Sequence, residues 1–288
     1  MDRAAAGAAD AAADHAAAAF AVPEAIALCD QAIEARDRSG AKSAPRKIAK
    51  LYEKKAELLV AVSDFRGAFE AYEQEAKLGH ELANPLLEGS ALAGMGLAAL
   101  FLHDFEASLA LSVRTIKIGS DLESPELQAA GQWNQGFVQA VTARLDESRA
   151  SFEAAHGLGE AANSPFHQGL AGSFLALLDS WAGNYRAAET ASRAAGAVVR
   201  EAELVWPMMF TQWSRGLVLT AMGAHDPAFE SFESALAVAE KLGDEIYRNR
   251  CLNSMGWLHA ECGDFDGSIA FNQKGVGVSR ERGDPETI

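Results

Sequence analysis

The side chains in this sequence that could do chemistry are mainly its seven histidines, three cysteines and forty aspartates and glutamates. A helical zinc site needs two histidines four residues apart with a carboxylate beside them, and no histidine pair has that spacing. Paired carboxylates such as Glu70 and Glu73 are common, but an acidic helical chain carries such pairs on ordinary solvated faces. The sequence therefore predicts no metal ligands and no catalytic residues.

Glycine motifs that bind phosphates or position a nucleophile are also missing. No Gly-x-x-x-x-Gly-Lys-Ser/Thr string and no Gly-x-Ser-x-Gly string occurs. Gly94, Gly96 and Ala99 imitate part of a dinucleotide fingerprint, but they fall inside a helical pattern with no strand before it. We expect no enzyme activity and no cofactor.

The net charge and the composition of the chain exclude some classes of binding partner. The formal net charge of -15 argues against nucleic acid, because phosphate binding needs clustered Lys and Arg. No apolar run is long enough to cross a membrane, and the N-terminus is acidic where a secretion signal would be basic. Cys29, Cys251 and Cys262 are an odd number without paired spacing, which fits a reducing compartment. We expect a cytoplasmic protein that binds neither nucleic acid nor membrane.

The elements that must position any site are most visible in residues 251–286. This stretch predicts two amphipathic helices joined by the turn Cys262-Gly263-Asp264 and closed by a second turn at Gly283-Asp284-Pro285. Apolar or small residues recur at helical spacing on one side of each helix. A lone pair of this size cannot bury that side, so the unit needs neighbours.

Steps of forty residues reproduce the same unit along the chain. Small residues recur in the first helix at Ala56, Gly96, Gly136, Ala176, Gly216 and Gly256, and in the second at Ala68, Ser108, Ser148, Ala188, Ala228 and Ser268. Phe65, Phe105, Leu145, Tyr185, His225 and Phe265 form a mostly aromatic column, and Pro45, Pro85, Pro125, Pro165 and Pro285 form another. Alanine richness alone could fill the small columns, but it cannot place prolines and aromatics in one register.

The unit resembles a tetratricopeptide repeat. Gly256 lies where that family has a small residue in its first helix, Gly263-Asp264-Phe265 resembles its turn and aromatic helix start, and Ser268 takes its small crossing position. The resemblance implies an all-α fold, a right-handed superhelical solenoid of antiparallel helix pairs.

The repeat register sets the expected domain organisation. Residues 1–40 read as a degenerate N-terminal repeat or cap, and residues 41–288 as a six-unit array continuous with it, together one solenoid domain. The fuller units are expected at 44–83, 84–123, 124–163, 164–203, 204–243 and 244–283, with helices of about 16 residues. Pro207 comes two residues late, so a change of helix phase or curvature is expected in the fifth unit.

Units of forty residues resemble the C-terminal sensor arrays of bacterial signal-transduction ATPases, maltose-regulator-like activators and ATPase-linked cyclases. The residues that carry this resemblance are Ala25-Ile26-Ala27-Leu28 and Arg280-Glu281-Arg282-Gly283-Asp284-Pro285. It implies that the chain is the sensor or interaction arm of a bacterial regulator.

The first helices line the inner face in this class of repeat, so their residues are the candidate site. Aromatic and amide side chains there suit an extended peptide, because amides bond its backbone and rings cover its side chains. The candidate ligand or peptide contacts are Trp133, Asn134, Phe137, Trp213, Arg250, Asn253 and Trp257. The alternative is that these aromatics only pack between adjacent first helices.

Three functions follow from this surface. The first hypothesis is a non-catalytic scaffold that binds a protein or peptide segment in its concave groove. The second is a small-molecule sensor that holds an apolar metabolite near Trp133, Phe137, Trp213 and Trp257. The third is a purely structural assembly module.

Two expectations concern buried and exposed apolar residues. Phe65, Phe105, Tyr185 and Phe265 are each expected to begin a second helix and to lie buried against a small residue of their own unit. Residues 284–288 repeat the phase at which earlier units begin, while the last helix carries Ile269, Val276 and Val278. We expect either a longer parent protein or self-association that covers this C-terminal end.

Overall fold

The structure is a computed structural model that describes residues 2–19, 21–40 and 44–282, with side chains from residue 6 to residue 276 of those ranges. These residues form fourteen α-helices, and none of them lies in a strand. The helices are α1 Asp2–Ala18, α2 Val22–Arg38, α3 Ala44–Ala61, α4 Phe65–Glu81, α5 Pro85–Phe101, α6 Phe105–Asp121, α7 Pro125–Val141, α8 Leu145–Ala161, α9 Pro165–Trp181, α10 Tyr185–Glu201, α11 Val205–Ala221, α12 His225–Leu242, α13 Glu245–Glu261 and α14 Phe265–Arg282.

Helix starts follow the predicted period. From Phe65 onward a helix begins every 20 residues, so each pair occupies 40. The turn before each start contains one residue with positive φ, which closes the preceding helix in the left-handed conformation. These residues are Ser63, Ala83, His103, Glu123, Ala143, Asn163, Gly183, Glu203, Gly223, Gly243 and Gly263.

Local capping explains why the helices begin where they do. Asp64 Oδ1 accepts a hydrogen bond from the backbone N–H of Gly67 at 3.0 Å, and Asp244 does the same for Tyr247 at 3.0 Å. Asn84 Oδ1 accepts from Leu87 N at 3.3 Å, directly before the proline that begins α5. Such side chains satisfy amides that the first helical turn leaves unpaired.

The chain divides into two compact units, Met1–Leu158 and Gly159–Ile288. In the first unit α1 packs on α2, α3 on α4 and α5 on α6; in the second, α9 packs on α10, α11 on α12 and α13 on α14. The contact of α1 with α2 makes residues 2–38 a full helical pair. Its role as an end cap, and the continuity of all repeats as one domain, stay predictions.

The small columns bring the two helices of a pair together. The Ser108 hydroxyl donates to the Gly96 carbonyl at 2.9 Å, and the Ser148 hydroxyl donates to the Gly136 carbonyl at 2.8 Å. A Cβ on Gly216 would lie 2.4 Å from the Phe232 ring, so only glycine fits there. These contacts place the predicted small residues at the crossing points.

The expected burial of the aromatic column is wrong for two members. Phe65, Phe105, Tyr185 and Phe265 all begin second helices, but their exposed fractions differ. Phe65 is 3% exposed and Phe105 is half-buried, whereas Tyr185 is 43% and Phe265 67% exposed.

The residue at the end of the next first helix explains part of this difference. The Phe65 ring stacks on Phe101, the last residue of α5, with ring centroids 4.3 Å apart. Phe65 is therefore covered by the following unit, not only by a small residue of its own. The residue in register with Phe101 after Tyr185 is Ala221, which is too short to cover a ring, and α14 is the last helix that the structure describes.

The fifth unit keeps the register that Pro207 was expected to disturb. α11 begins at Val205 and α12 at His225, both on the 20-residue step. Pro207 lies buried in the first turn of α11, where a missing N–H costs nothing. α12 is one residue longer than α11 and is followed by Gly243, which has φ of 73°.

Three further expectations concern the membrane and the C-terminal end. None of the helices described above is long and apolar enough to cross a membrane. On α14, Ile269 is 55% exposed. The expected turn at 283–285 and the restart at 284–288 lie outside the described residues, as does the side chain of Val278.

Candidate functional site

An aromatic cluster in the second unit joins the first helices α11 and α13. Trp206, Phe210 and Trp213 follow one another along α11, and Tyr247 meets them from the first turn of α13. The Tyr247 ring centroid lies 6.2, 6.4 and 6.1 Å from those of Trp206, Phe210 and Trp213, with rings near perpendicular. Edge-to-face contacts of this kind make the cluster a rigid base for neighbouring side chains.

Arg250 lies on this base, one turn after Tyr247. Its guanidinium carbon is 5.2 Å from the Tyr247 ring centroid and 5.7 Å from that of Trp213. The cation is attracted to the electron-rich faces of both rings, which restricts its side chain to one region. The stacked guanidinium is thus held in place at a half-buried position.

Asn253 and Trp257 continue the same face of α13 at spacings of three and four residues. Asn253 is exposed, and its amide donates to Asn272 Oδ1 on α14 at 3.2 Å. Trp257 is 45% exposed, and its indole N–H donates to Glu261 at 3.1 Å. We call Arg250, Asn253 and Trp257 the α13 surface; it offers a guanidinium, an amide and an exposed ring along one helix.

Trp213 supports this surface from α11. Its indole N–H donates to the Ser254 hydroxyl at 3.1 Å, and the residue is half-buried. This hydrogen bond connects the successive first helices α11 and α13, which are also in contact with each other. Trp213 therefore mainly connects α11 to α13 beneath Arg250.

The other three candidate residues lie in the first unit, and two of them are buried. Trp133 is 3% and Asn134 2% exposed, while Phe137 is half-buried with its ring 5.6 Å from that of Trp133. The Asn134 amide donates to the Ala93 carbonyl on α5 at 3.0 Å. These contacts are those of packing between first helices, and a ligand contact by the three stays a prediction.

A charged cleft in the first unit was not among the candidate sites. It has a volume of roughly 630 Å³ and lies between α1, α2 and α3. Its lining residues are Asp10, Asp14, Arg36, Lys47, Lys50, Leu51, Glu53, Lys54 and Glu57. Arg36 and Lys54 bond Asp10 at 2.9 and 2.8 Å, and Lys54 also reaches Asp14 at 2.6 Å.

Glu75 of α4 is the least expected residue of this region. It is 0% exposed, and neither carboxyl oxygen has a hydrogen-bond partner. Burial, followed by the charges of Glu53 and Glu57, raises the pKa of Glu75 to about 9. The sequence carried a signal, because the forty-step column otherwise reads Thr115, Ala155, Ala195, Ala235 and Gly275.

Glu57 shares this unfavourable environment. The residue is exposed as a whole, yet enough protein surrounds its carboxyl that desolvation, then the Glu53 charge, raises its pKa to about 6. Lys54 opposes that shift but is already bonded to Asp10 and Asp14. The lining of the cleft as a whole holds four carboxylates and four cations, so its formal charges balance.

Ser164 and His167 form another pair of potentially reactive side chains, and both are buried in the second unit. The Ser164 hydroxyl lies 3.0 Å from His167 Nδ1, and burial lowers the pKa of His167 to about 4. This neutral pair lies at the start of α9, where the Ser164 side chain makes no capping hydrogen bond to the first turn. Among the described residues, no group of three or more His, Cys, Asp or Glu is arranged to hold a metal ion.

Comparison with known proteins identifies the fold. The sequence matches no family model and no curated protein. A solved Rap protein in complex with Competence and Sporulation Factor is similar at 14% identity and a TM-score of 0.75, covering 95% of this chain and 74% of that one. The apo form of RapI is similar at 11% identity and a TM-score of 0.67, covering 94% and 96%.

A third similar solved structure contains a sensor built of tetratricopeptide repeats. It is a Signal Transduction ATPase with Numerous Domains with a tetratricopeptide repeat sensor, from Pyrococcus horikoshii, at 11% identity and a TM-score of 0.56. The alignment covers 90% of this chain and 41% of that protein. The three likenesses show that the fold is an all-α stack of tetratricopeptide-like helix pairs, as the repeat pattern predicted.

Proposed function

We propose that this chain is a non-catalytic scaffold that binds an extended protein or peptide segment along the α13 surface of its second unit. The observation that carries the proposal is the position of Arg250 on the Trp213 and Tyr247 rings, beside exposed Asn253 and Trp257. Arginine and tryptophan are enriched where proteins bind one another, and an amide can bond a peptide backbone.

Each group has a distinct expected task. The Asn253 amide can exchange its bond to Asn272 for bonds to a peptide backbone. The exposed part of the Trp257 ring can cover an apolar side chain. Arg250 presents N–H groups that suit a carbonyl or carboxylate of the segment.

Two solved proteins of similar fold support a proposal of this type. A Rap protein of similar fold was solved in complex with a factor, and another neighbour carries its repeats as a sensor. We extend the proposal to the sensor or interaction arm of a cytoplasmic bacterial regulator. An apolar metabolite near Trp133, Phe137, Trp213 and Trp257 stays the alternative prediction.

The test uses affinity capture with matched variants. Wild type, Asn253→Ala, Trp257→Ala and Trp181→Ala are used as bait in native extract, and captured proteins are identified by mass spectrometry. Trp181 is 57% exposed and lies at the end of α9, so its variant controls for loss of a surface ring. A segment of the captured partner is then titrated against each variant.

We expect Asn253→Ala and Trp257→Ala each to weaken binding at least about fivefold, as loss of one good contact does. Melting temperatures should change little, because both side chains are exposed. Equal affinities for wild type and both α13 variants would contradict the proposal. Native mass spectrometry that finds a bound small molecule instead would favour the alternative.

A further inference from the structure

The face of α13 that carries Arg250, Asn253 and Trp257 continues for one more turn, to Glu261 at the end of the helix. These four positions lie within about 80° of one another around the helix axis, because each residue turns an α-helix by about 100°. Glu261 is exposed, and its Oε1 accepts a hydrogen bond from the Trp257 indole N–H at 3.1 Å. A guanidinium therefore lies at one end of the face, a carboxylate lies at the other, and an exposed ring lies between them.

Both end charges are positioned by aromatic rings. The Arg250 guanidinium carbon is 5.2 Å from the Tyr247 ring centroid, so the side chain leans toward the start of α13. The Trp257 indole leans the other way, toward Glu261. A guanidinium has five N–H donors, so Arg250 can bind a carboxylate while it stays over the rings, and the Glu261 Oε2 can accept from an added cation. A ligand that binds both ends meets groups that are already in place.

Other charged side chains of this region are bonded to each other. Arg248 Nη1 lies 2.9 Å from the Glu245 carboxylate, one turn earlier on the same helix. Asp264 Oδ2 lies 2.8 Å from His259 Nδ1 in the turn that follows α13. A segment along the α13 surface therefore meets chiefly the cation at its start and the carboxylate at its end.

The spacing of the three groups fits an extended chain. Along the helix axis, Arg250 and Trp257 are about 10 Å apart and Trp257 and Glu261 about 6 Å. Because Arg250 leans away from Trp257, the distance from guanidinium to ring is the longer of the two by more than this difference. In an extended chain alternate side chains point to the same side, and four residues span about 13 Å and two residues about 7 Å. The matching segment has an acidic residue four positions from an apolar one, and a basic residue two positions beyond it.

We propose that the α13 surface selects an extended segment with Asp or Glu against Arg250, an apolar side chain against Trp257, and Lys or Arg against Glu261. This inference rests on the proposed function, because it specifies the partner of the same surface. The formal net charge of -15 alone would favour a purely basic segment. A preference for an acidic residue at one end is therefore a local effect of Arg250.

The probes are capped, fluorescently labelled heptapeptides, titrated into the full chain by anisotropy at about 0.15 M salt. The acid–base probe is Asp-Ser-Ser-Ser-Leu-Ser-Lys, and its reverse is Lys-Ser-Leu-Ser-Ser-Ser-Asp, because α13 sets the order of charges and not the chain direction. A two-base probe and a two-acid probe carry Lys or Asp at both ends. The shifted probe, Ser-Ser-Asp-Ser-Leu-Ser-Lys, has the same composition with the acid two positions from Leu.

We expect the tighter of the two acid–base probes to bind about fivefold more tightly than the two-base and shifted probes, as one partly exposed ion pair allows. Arg250→Gln should lose the preference for the acid. Glu261→Lys should make the two-acid probe the tightest. The matched control is Asp226→Lys, which makes the same change of charge at an exposed site on α12 and should keep the wild-type order. Circular dichroism checks that each variant keeps its helices.

Several results would overturn this inference. A two-base probe that binds as tightly as the acid–base probes would indicate general attraction to an acidic protein. Equal binding of the shifted probe would reject the spacing, and an unchanged order in Glu261→Lys would remove Glu261 from the site. Absence of binding by every probe would also count against it.

The proposed function is separated from this inference by Trp257→Ala. If all probes bind alike and Trp257→Ala weakens them all, the surface binds segments without selecting their charges, so only the inference fails. If Trp257→Ala and wild type bind every probe equally, the probes do not use the α13 surface, and the proposed function is contradicted as well.

Discussion

The same repeat positions carry opposite chemistry in the two units. In α3 the first-helix columns hold Glu53 and Glu57, whereas in α11 the equivalent positions hold Trp213 and Leu217. In the first unit the buried Glu75 carboxyl has no hydrogen-bond partner; in the second, edge-to-face rings support one arginine. The backbone register is the same, so the repeat specifies how helices cross and leaves the exposed columns free to vary.

The largest expected difference is between Phe65 and Phe265, which begin α4 and α14 in the same register. Phe65→Ala should lower the free energy of unfolding by about 3 to 5 kcal/mol, because a buried, stacked ring leaves a cavity. Phe265→Ala should cost less than about 1 kcal/mol, since the ring is mostly exposed. Urea denaturation of both variants measures this, and similar losses would contradict the assigned burial.

The next prediction concerns Glu75 and pH. With a folded-state pKa of about 9 and an ordinary value of 4.5, the unfolded chain ionises first. The contribution of Glu75 to stability is therefore greatest below pH 4.5, falls as pH rises toward 9 and is level above it. Glu53, Glu57 and Tyr72 face this carboxyl.

Glu75→Gln should remove that slope and gain about 3 kcal/mol relative to wild type between pH 4 and pH 7. Urea midpoints at several pH values measure the change. Glu70→Gln removes a carboxyl from the exposed side of the same helix and serves as control. Parallel pH profiles for wild type and Glu75→Gln would show that Glu75 is not buried as a protonated acid.

Two asparagines on first helices, one in each unit, sharpen the comparison with a smaller expected change in stability. Asn134 is 2% exposed and bonds the Ala93 carbonyl, so Asn134→Ala should cost about 1 to 3 kcal/mol through the unsatisfied partner. Asn253 is exposed, and Asn253→Ala should cost less than about 0.5 kcal/mol. Thermal denaturation distinguishes them; equal costs would mean that Asn253 is also a packing residue.

The smallest effect is expected at the turns. Ala143 has φ of 60° in the first unit, and Gly243 has φ of 73° in the second. Ala143→Gly should stabilise slightly and Gly243→Ala should destabilise by about 1 kcal/mol, because only glycine adopts this conformation without strain. Nothing lies within 4 Å of a Cβ at Gly243, so a loss there measures backbone strain alone. Destabilisation by Ala143→Gly together with stabilisation by Gly243→Ala would contradict the assigned conformations.

The sequence by itself determined the period, the helix starts and the crossing points. Caps such as Asp244, turn residues such as Gly243 and small residues such as Gly216 act within one unit, so one unit's sequence is enough to predict them. That is why the helix starts from Phe65 onward follow the predicted period, although the change of phase expected at Pro207 is absent.

Tertiary structure decided which of these positions are buried and what they face. Phe65 is covered because Phe101, 36 residues later, has a ring, and Tyr185 is exposed in a register where Ala221 stands. Glu75 departs from the small residues of its column, but only packing shows that its carboxyl is buried and acted on by Glu53 and Glu57. Burial and electrostatics depend on distant neighbours, whereas helix starts depend on adjacent residues, and only the folded chain brings those neighbours together.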